Sequence, residues 1–278
     1  MIRRLFSIVL AMASVIPAAQ VQAASYTLSM LPRYSPEEIS KRITPLADLL
    51  AVRLNARVEA VVASDFQQYE QRLKRGDIKI GYENPYVYVR VSDQQEVLAM
   101  ASKGKDGNRF RGIIITRADS DIVEIGDLKG RTVSIVSRSS AGGFLSQKVT
   151  LEEKGLDINK DLQLVEALDN KQENVILSVY YGDVDAGFIR ESALHKVDAY
   201  VPSNQIRVIK RTAWLPNWAL SVNRDMSDEA KKIVKQTVLG LTKEDKALQA
   251  LKIDGFIPAK DSDYDVMRKA AGLPISKK

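Results

Sequence analysis

The chain has 278 residues, with 41 Lys and Arg against 35 Asp and Glu, one histidine and no cysteine. A formal charge of +6 without basic clusters does not mark a nucleic-acid surface. The absence of cysteine excludes disulfides, thiolate chemistry and cysteine metal sites, and the single histidine, His195, is too little for a histidine metal site or a Ser-His-Asp triad.

Residues 1–24 read as a cleaved secretory signal peptide. Arg3 and Arg4 are followed by an apolar run to about Ile16, then by small residues at Val21, Gln22 and Ala23. The run is too short for a membrane span, and Pro17 argues against a buried N-terminal helix. A lipid tether needs a cysteine at the cleavage point, so the product is expected in the periplasm, neither lipid-anchored nor membrane-embedded. About 250 residues remain, enough for one large domain or two medium ones.

Strands and helices then alternate, which predicts an α/β architecture with mainly parallel strands. Residues 25–31 form a first strand. Ser35, Pro36 and Glu38 make a capping box for a helix whose apolar spacing runs from Ile39 to Leu54, with Pro45 expected to kink or split it. Strands follow at 57–62 and 77–82, separated by a helix ending at Gly76. Asn84 and Pro85 open the next helix.

The second half repeats the idiom. A strand at 110–117 is long enough to cross between lobes. Further strands fall at 132–136, 162–166, 184–189, 206–210 and 219–222, and helices close the chain. A helix ending in Gly-Asp before an apolar strand occurs at Gly76-Asp77 and again at Gly182-Asp183, which implies two similar lobes.

Between the strand at 132–136 and a helix at 144–154 sit three serines, Ser137, Ser139 and Ser140, with Gly142 and Gly143. A loop opening a helix offers unpaired N–H groups and the positive end of a dipole, and small residues let an anion approach. The loop lacks the spaced glycines and lysine of a nucleotide-binding loop. Taken alone, it is an oxyanion site or simply a serine-rich helix cap.

Four segments carry a family resemblance. Gly76 to Val89 (GDIKIGYENPYVYV), Asp127 to Val133 (DLKGRTV), Val136 to Gly142 (VSRSSAG) and Gly182 to Gly187 (GDVDAG) resemble, in order, stretches of the PhnD-like periplasmic binding proteins of phosphate, phosphite and phosphonate transporters. The likeness runs from about residue 25 to 226. It implies a two-lobed, type II periplasmic binding fold with the ligand cleft between lobes. Lobe one would comprise 25–114 and 216–278, and lobe two 115–215, with strands near 113–116 and 216–220 as the hinge.

By family position, Ser137, Ser139, Ser140 and Gly142 would hold the oxyanion, although Ala141 replaces a hydroxyl common there. Tyr82, Asn84, Tyr86 and Tyr34 are further candidates, since strand ends in open sheets present ligand groups and tyrosine suits phosphonate oxygens. A family histidine falls at Gln172, which still donates a hydrogen bond but cannot charge. Trp218 stands where some members carry an acid, which disfavours an aminoalkyl ligand. Arg190, if inward, adds a fork for a second oxyanion; otherwise it makes a surface salt bridge. Trp214 and Trp218 line the cleft or pack the hinge.

The resemblance implies a non-catalytic, monomeric receptor without cofactor, passing a small anion to an inner-membrane ABC permease. A periplasmic sensor signalling to a histidine kinase is the alternative. A Ser/Lys hydrolase built on Ser139 is the third reading, and needs a lysine at hydrogen-bond distance.

Overall fold

The computed structural model describes residues 25–104 and 107–276, so the expected signal peptide lies outside the described residues. The first part of the chain runs β1 (Ser25–Met30), α1 (Pro36–Leu54), β2 (Arg57–Ala60), α2 (Phe66–Arg75), β3 (Ile80–Glu83), α3 (Pro85–Val91) and β4 (Gln95–Ser102). Then come β5 (Arg109–Phe110), β6 (Gly112–Arg117), β7 (Thr132–Ile135), α4 (Ser146–Glu152), β8 (Gln163–Glu166), α5 (Gln172–Tyr181), β9 (Ala186–Arg190) and β10 (Ile206–Arg211). The return comprises β11 (Leu215–Pro216), β12 (Ala219–Asn223), α6 (Asp228–Leu239), α7 (Lys246–Leu251), β13 (Gly255–Pro258) and α8 (Asp265–Ala271).

Local chemistry sets these boundaries. Ser35, Asp65 and Asn84 cap α1, α2 and α3 by accepting from the N–H three residues on. Gly76 and Gly182 end α2 and α5 in the left-handed region, with φ of 74° and 79°. The N–H of the following aspartate returns in both cases to the carbonyl five residues back, Arg72 or Ser178, at 2.9 Å. The repeated Gly-Asp therefore has one geometry in two places. Of the kink or split expected at Pro45, the split does not occur: α1 runs through it as one helix. The carbonyl that Pro45 leaves without a donor belongs to exposed Lys41, where water can take its place.

Two sheets result. One has the order β13-β4-β12-β3-β1-β2, and the other β10-β6-β9-β7-β8. β1 is parallel to β2 and β3, and β7 is parallel to β8 and β9. The remaining pairings are antiparallel, which corrects the expectation of mainly parallel strands. In the first sheet the difference comes from β12 and the edge strand β13, which run against β1–β3 and β4. β13 lies where only closing helices were expected.

The chain changes sheet at residues 110–112, a little before the expected 114, because all of β6 pairs within the second sheet. β5 and β11 form a two-residue antiparallel ladder at this crossing. One apolar core lies around β1, β3, α1 and α6, and another where Val175 and Val179 of α5 pack on Ile113 and Ile115 of the second sheet.

Glu83, at the end of β3, is fully buried. Tyr69 and Ser221 donate hydroxyls to it at 2.9 and 2.6 Å. Burial pushes its carboxyl up to about 7, against the opposing pull of those two donors. An acid with a raised folded pKa favours the folded state most below its ordinary value of 4.5, and that contribution is lost as pH rises through about 7. Urea denaturation at pH 5 and 7.5 should show Glu83→Gln sparing the protein about 2–3 kcal/mol of this loss. Parallel pH slopes for the two proteins would refute the assignment.

Candidate functional site

Between the two sheets lies a cavity of about 360 Å³. The β1–α1 loop, the start of α3 and Trp218 form one side. The loop after β7, the start of α5 and the end of β9 form the other. The two sides touch where the Asn84 amide donates to the Ser139 carbonyl at 3.4 Å.

The serine loop continues into one helical segment, which begins with a π-turn over Ala141–Leu145 and passes into α4. Ser140 caps it, its hydroxyl oxygen accepting from the Gly143 N–H at 3.1 Å. The hydroxyl proton stays available to an acceptor in the cavity. Ala141 and Gly142 open the helix, so their N–H groups have no partner within it, and both face the cavity. Gly142 must be small, because a Cβ there would lie 2.9 Å from the Phe110 ring and 3.2 Å from Arg190.

Arg190 ends β9 and points inward. Its guanidinium stacks over the Phe110 ring at 4.1 Å, and its buried Nε has no hydrogen-bond partner. Burial, and next the charge of Arg33, lower its pKa to about 10, opposed by Tyr82 and Tyr34. The group still stays charged at neutral pH. The Gln172 side-chain carbonyl accepts from the backbone N–H of Arg190 at 2.8 Å, so Gln172 braces the end of β9 from α5.

Opposite sits Arg33, which donates to the Tyr34 hydroxyl and lies over the Tyr34 and Trp218 rings at 4.7 and 4.8 Å. Arg42 covers the Tyr34 ring at 4.1 Å. Burial would raise the Tyr34 phenol, but Arg33, Arg42 and Lys196 together hold it below its ordinary value. Lys196 pairs with Glu173 at 2.7 Å on the rim. A cavity lined by two arginines, a serine hydroxyl and helix-opening residues suits an oxyanion.

Of the residues expected at the site, Tyr34, Asn84, Ser140, Gly142, Gln172, Arg190 and Trp218 meet in this cavity. Ser137, Ser139 and Tyr86 do not. They face an adjoining groove with Arg138, Glu166 and Arg90. A turn closed by the Ser140 N–H to the Ser137 carbonyl at 3.0 Å turns Ser137 and Ser139 aside, and their hydroxyls lie 3.3 Å apart. Tyr86 lies beneath Arg90, with the guanidinium 5.6 Å from its ring. Tyr82 is packed against Trp218 and Phe256, with ring centres at 5.2 and 6.0 Å, and borders an outer chamber instead.

That chamber measures about 820 Å³ and adjoins the inner cavity, sharing Arg33, Tyr34, Arg190 and Trp218 with it. Trp214 lines it, with Arg109 and Arg111 each 4.5 Å from the ring centre. His195 is exposed and paired with Asp198 at 3.1 Å. Among the described residues no cluster suited to a metal ion occurs, and no helix is long and apolar enough to cross a membrane. Sequence reasoning missed Arg33, Phe110 and Lys196, which belong to no motif.

A family model described as ABC transporter, phosphonate, periplasmic substrate-binding protein matches residues 28–264. The phosphate-import protein PhnD of Mycolicibacterium smegmatis is 22% identical over 279 residues, covering 91% of this chain and 86% of that one. The tetrathionate sensor histidine kinase TtrS of Salmonella typhimurium is 25% identical over 148 residues, which is 51% of this chain and 25% of the kinase. Among solved structures, PhnD1 of Prochlorococcus marinus in complex with methylphosphonate superposes with a TM-score of 0.75 at 15% identity, covering 89% of this chain and 97% of that one.

Proposed function

The chain belongs to the family of periplasmic substrate-binding proteins of phosphonate ABC transporters, and from that premise we propose that its inner cavity captures a phosphonate-, phosphite- or phosphate-like oxyanion for an inner-membrane permease. One observation carries the reading: a half-buried, charged Arg190, ion-paired with no carboxylate among the described residues, lines the same cavity as Ser140, Ala141 and Gly142. A charge in a recess without a counter-ion binds an anion strongly.

The two sheets are the two lobes, one built on 25–110 and the return from 215, the other on the segment between. They close about the β5–β11 crossing, which removes water from the bound anion. The protein is exported through its N-terminal signal, and the mature form works without a cofactor. A non-catalytic role fits the serines: Ser140 is occupied as a helix cap, and among the described residues no lysine is hydrogen-bonded to a loop serine. The kinase relative supports a second reading, in which the same cavity informs a membrane sensor. Co-purification with a permease or with a kinase separates the two.

Calorimetry with phosphate, phosphite, methylphosphonate and small carboxylates tests the site. Ser140→Ala should weaken the best oxyanion about tenfold, the scale of one hydrogen bond to a charged group. Ser139→Ala should leave affinity unchanged, because its side chain faces the neighbouring groove. Unchanged affinity in Ser140→Ala, or no binding of any oxyanion by the wild type, would overturn the reading.

A further inference from the structure

The outer chamber has a one-sided chemistry that a small oxyanion in the inner cavity does not use. Lys103, Arg109, Arg111 and Arg211 line it beside Arg33 and Arg190, against one carboxylate among the described residues, Glu191. That carboxylate is already held by Arg111 at 2.6 Å and Arg211 at 2.7 Å. Arg33 and Arg190 line both spaces, which places one pair of positive charges at their junction. The chamber is also concave, and positive charges in a concave space reinforce one another. Burial, and beyond it the charges of Arg190, Arg33 and Arg42, hold the Lys103 ammonium below its ordinary range, with Tyr34 opposing.

We propose that the ligand carries two acid groups: an oxyanion head in the inner cavity, and a second anionic group in the outer chamber among Arg33, Lys103 and Arg109. The chemical class is a short phosphonate bearing a carboxylate or a second phosphonate. The inference rests on the oxyanion reading of the inner cavity. It is distinct from that reading because a single-headed phosphonate satisfies the inner cavity alone.

Calorimetry with methylphosphonate and 3-phosphonopropionate, on the wild type and on Lys103→Gln/Arg109→Gln, decides it. The wild type should bind the di-acid about tenfold more tightly than methylphosphonate, the scale of one added charge-assisted hydrogen bond. The double variant should lose that advantage and keep its methylphosphonate affinity. Equal wild-type affinities, with methylphosphonate bound, would overturn the two-acid ligand and leave the oxyanion reading standing. An equal loss for both ligands in the variant would likewise overturn it. Failure of the wild type to bind either would overturn both.

Discussion

Arg190→Met should lower oxyanion affinity about a hundredfold, the upper range for losing a hydrogen-bonded charge from a buried site. Methionine keeps an unbranched stem that can lie on the Phe110 ring, where the guanidinium now stacks at 4.1 Å. The variant removes the charge and the fork, and little packing. Stability without ligand should not fall, because the wild-type protein carries the cost of a buried Nε without a partner. Arg190→Lys should recover only part of the affinity, since a point charge replaces a planar fork. Calorimetry with phosphate and methylphosphonate, with a thermal melt on each protein, reads both effects. Affinity within about threefold of wild type, less than 1 kcal/mol, would remove Arg190 from the site.

Gln147→Leu should cost about 3 kcal/mol of stability and weaken the ligand as well. Gln147 is fully buried, and its Nε2 lies 3.0 Å from each of three carbonyls, those of Ile113, Gly142 and Ile189. They belong to β6, the anion loop and β9. One amide therefore ties the loop to two strands of its sheet, the second of which carries Arg190. Leucine fills similar space but leaves the three carbonyls without this donor. Gly142 would lose its anchor, so the N–H groups presented to the cavity would lose their fixed direction. Urea denaturation gives the stability change, and calorimetry on the folded variant gives the binding change. A loss under about 1 kcal/mol with unaltered affinity would show that the amide is dispensable.

Features built from neighbouring residues were legible in the sequence. Caps at Ser35 and Asn84, the left-handed Gly76 and Gly182, and the strand–loop–helix at 132–152 each depend on a few adjacent side chains, and each stands as expected. Counting from a motif also picked out Gln172, which lines the cavity. Features that depend on a partner far along the chain were not legible. Arg33 matters because Trp218 comes beneath it, and nothing around residue 33 announces that. Phe110 read as the start of a long strand, whereas it is one rung of the crossing ladder and a wall of the cavity.

Within the anion loop the sequence supplied the chemistry but not the direction. Three serines in four positions look alike on paper. The turn from Ser137 to Ser140 decides which one faces the cavity. The antiparallel share of the sheets was hidden for a similar reason. β13 is only four residues long, and pairs with a strand more than 150 residues earlier.

Phe110 couples the site to the crossing between sheets. Its ring covers the Arg190 guanidinium, and its backbone pairs with Leu215 there. One residue therefore serves both the ladder and the face of the arginine, so a change in that ladder is felt at the guanidinium.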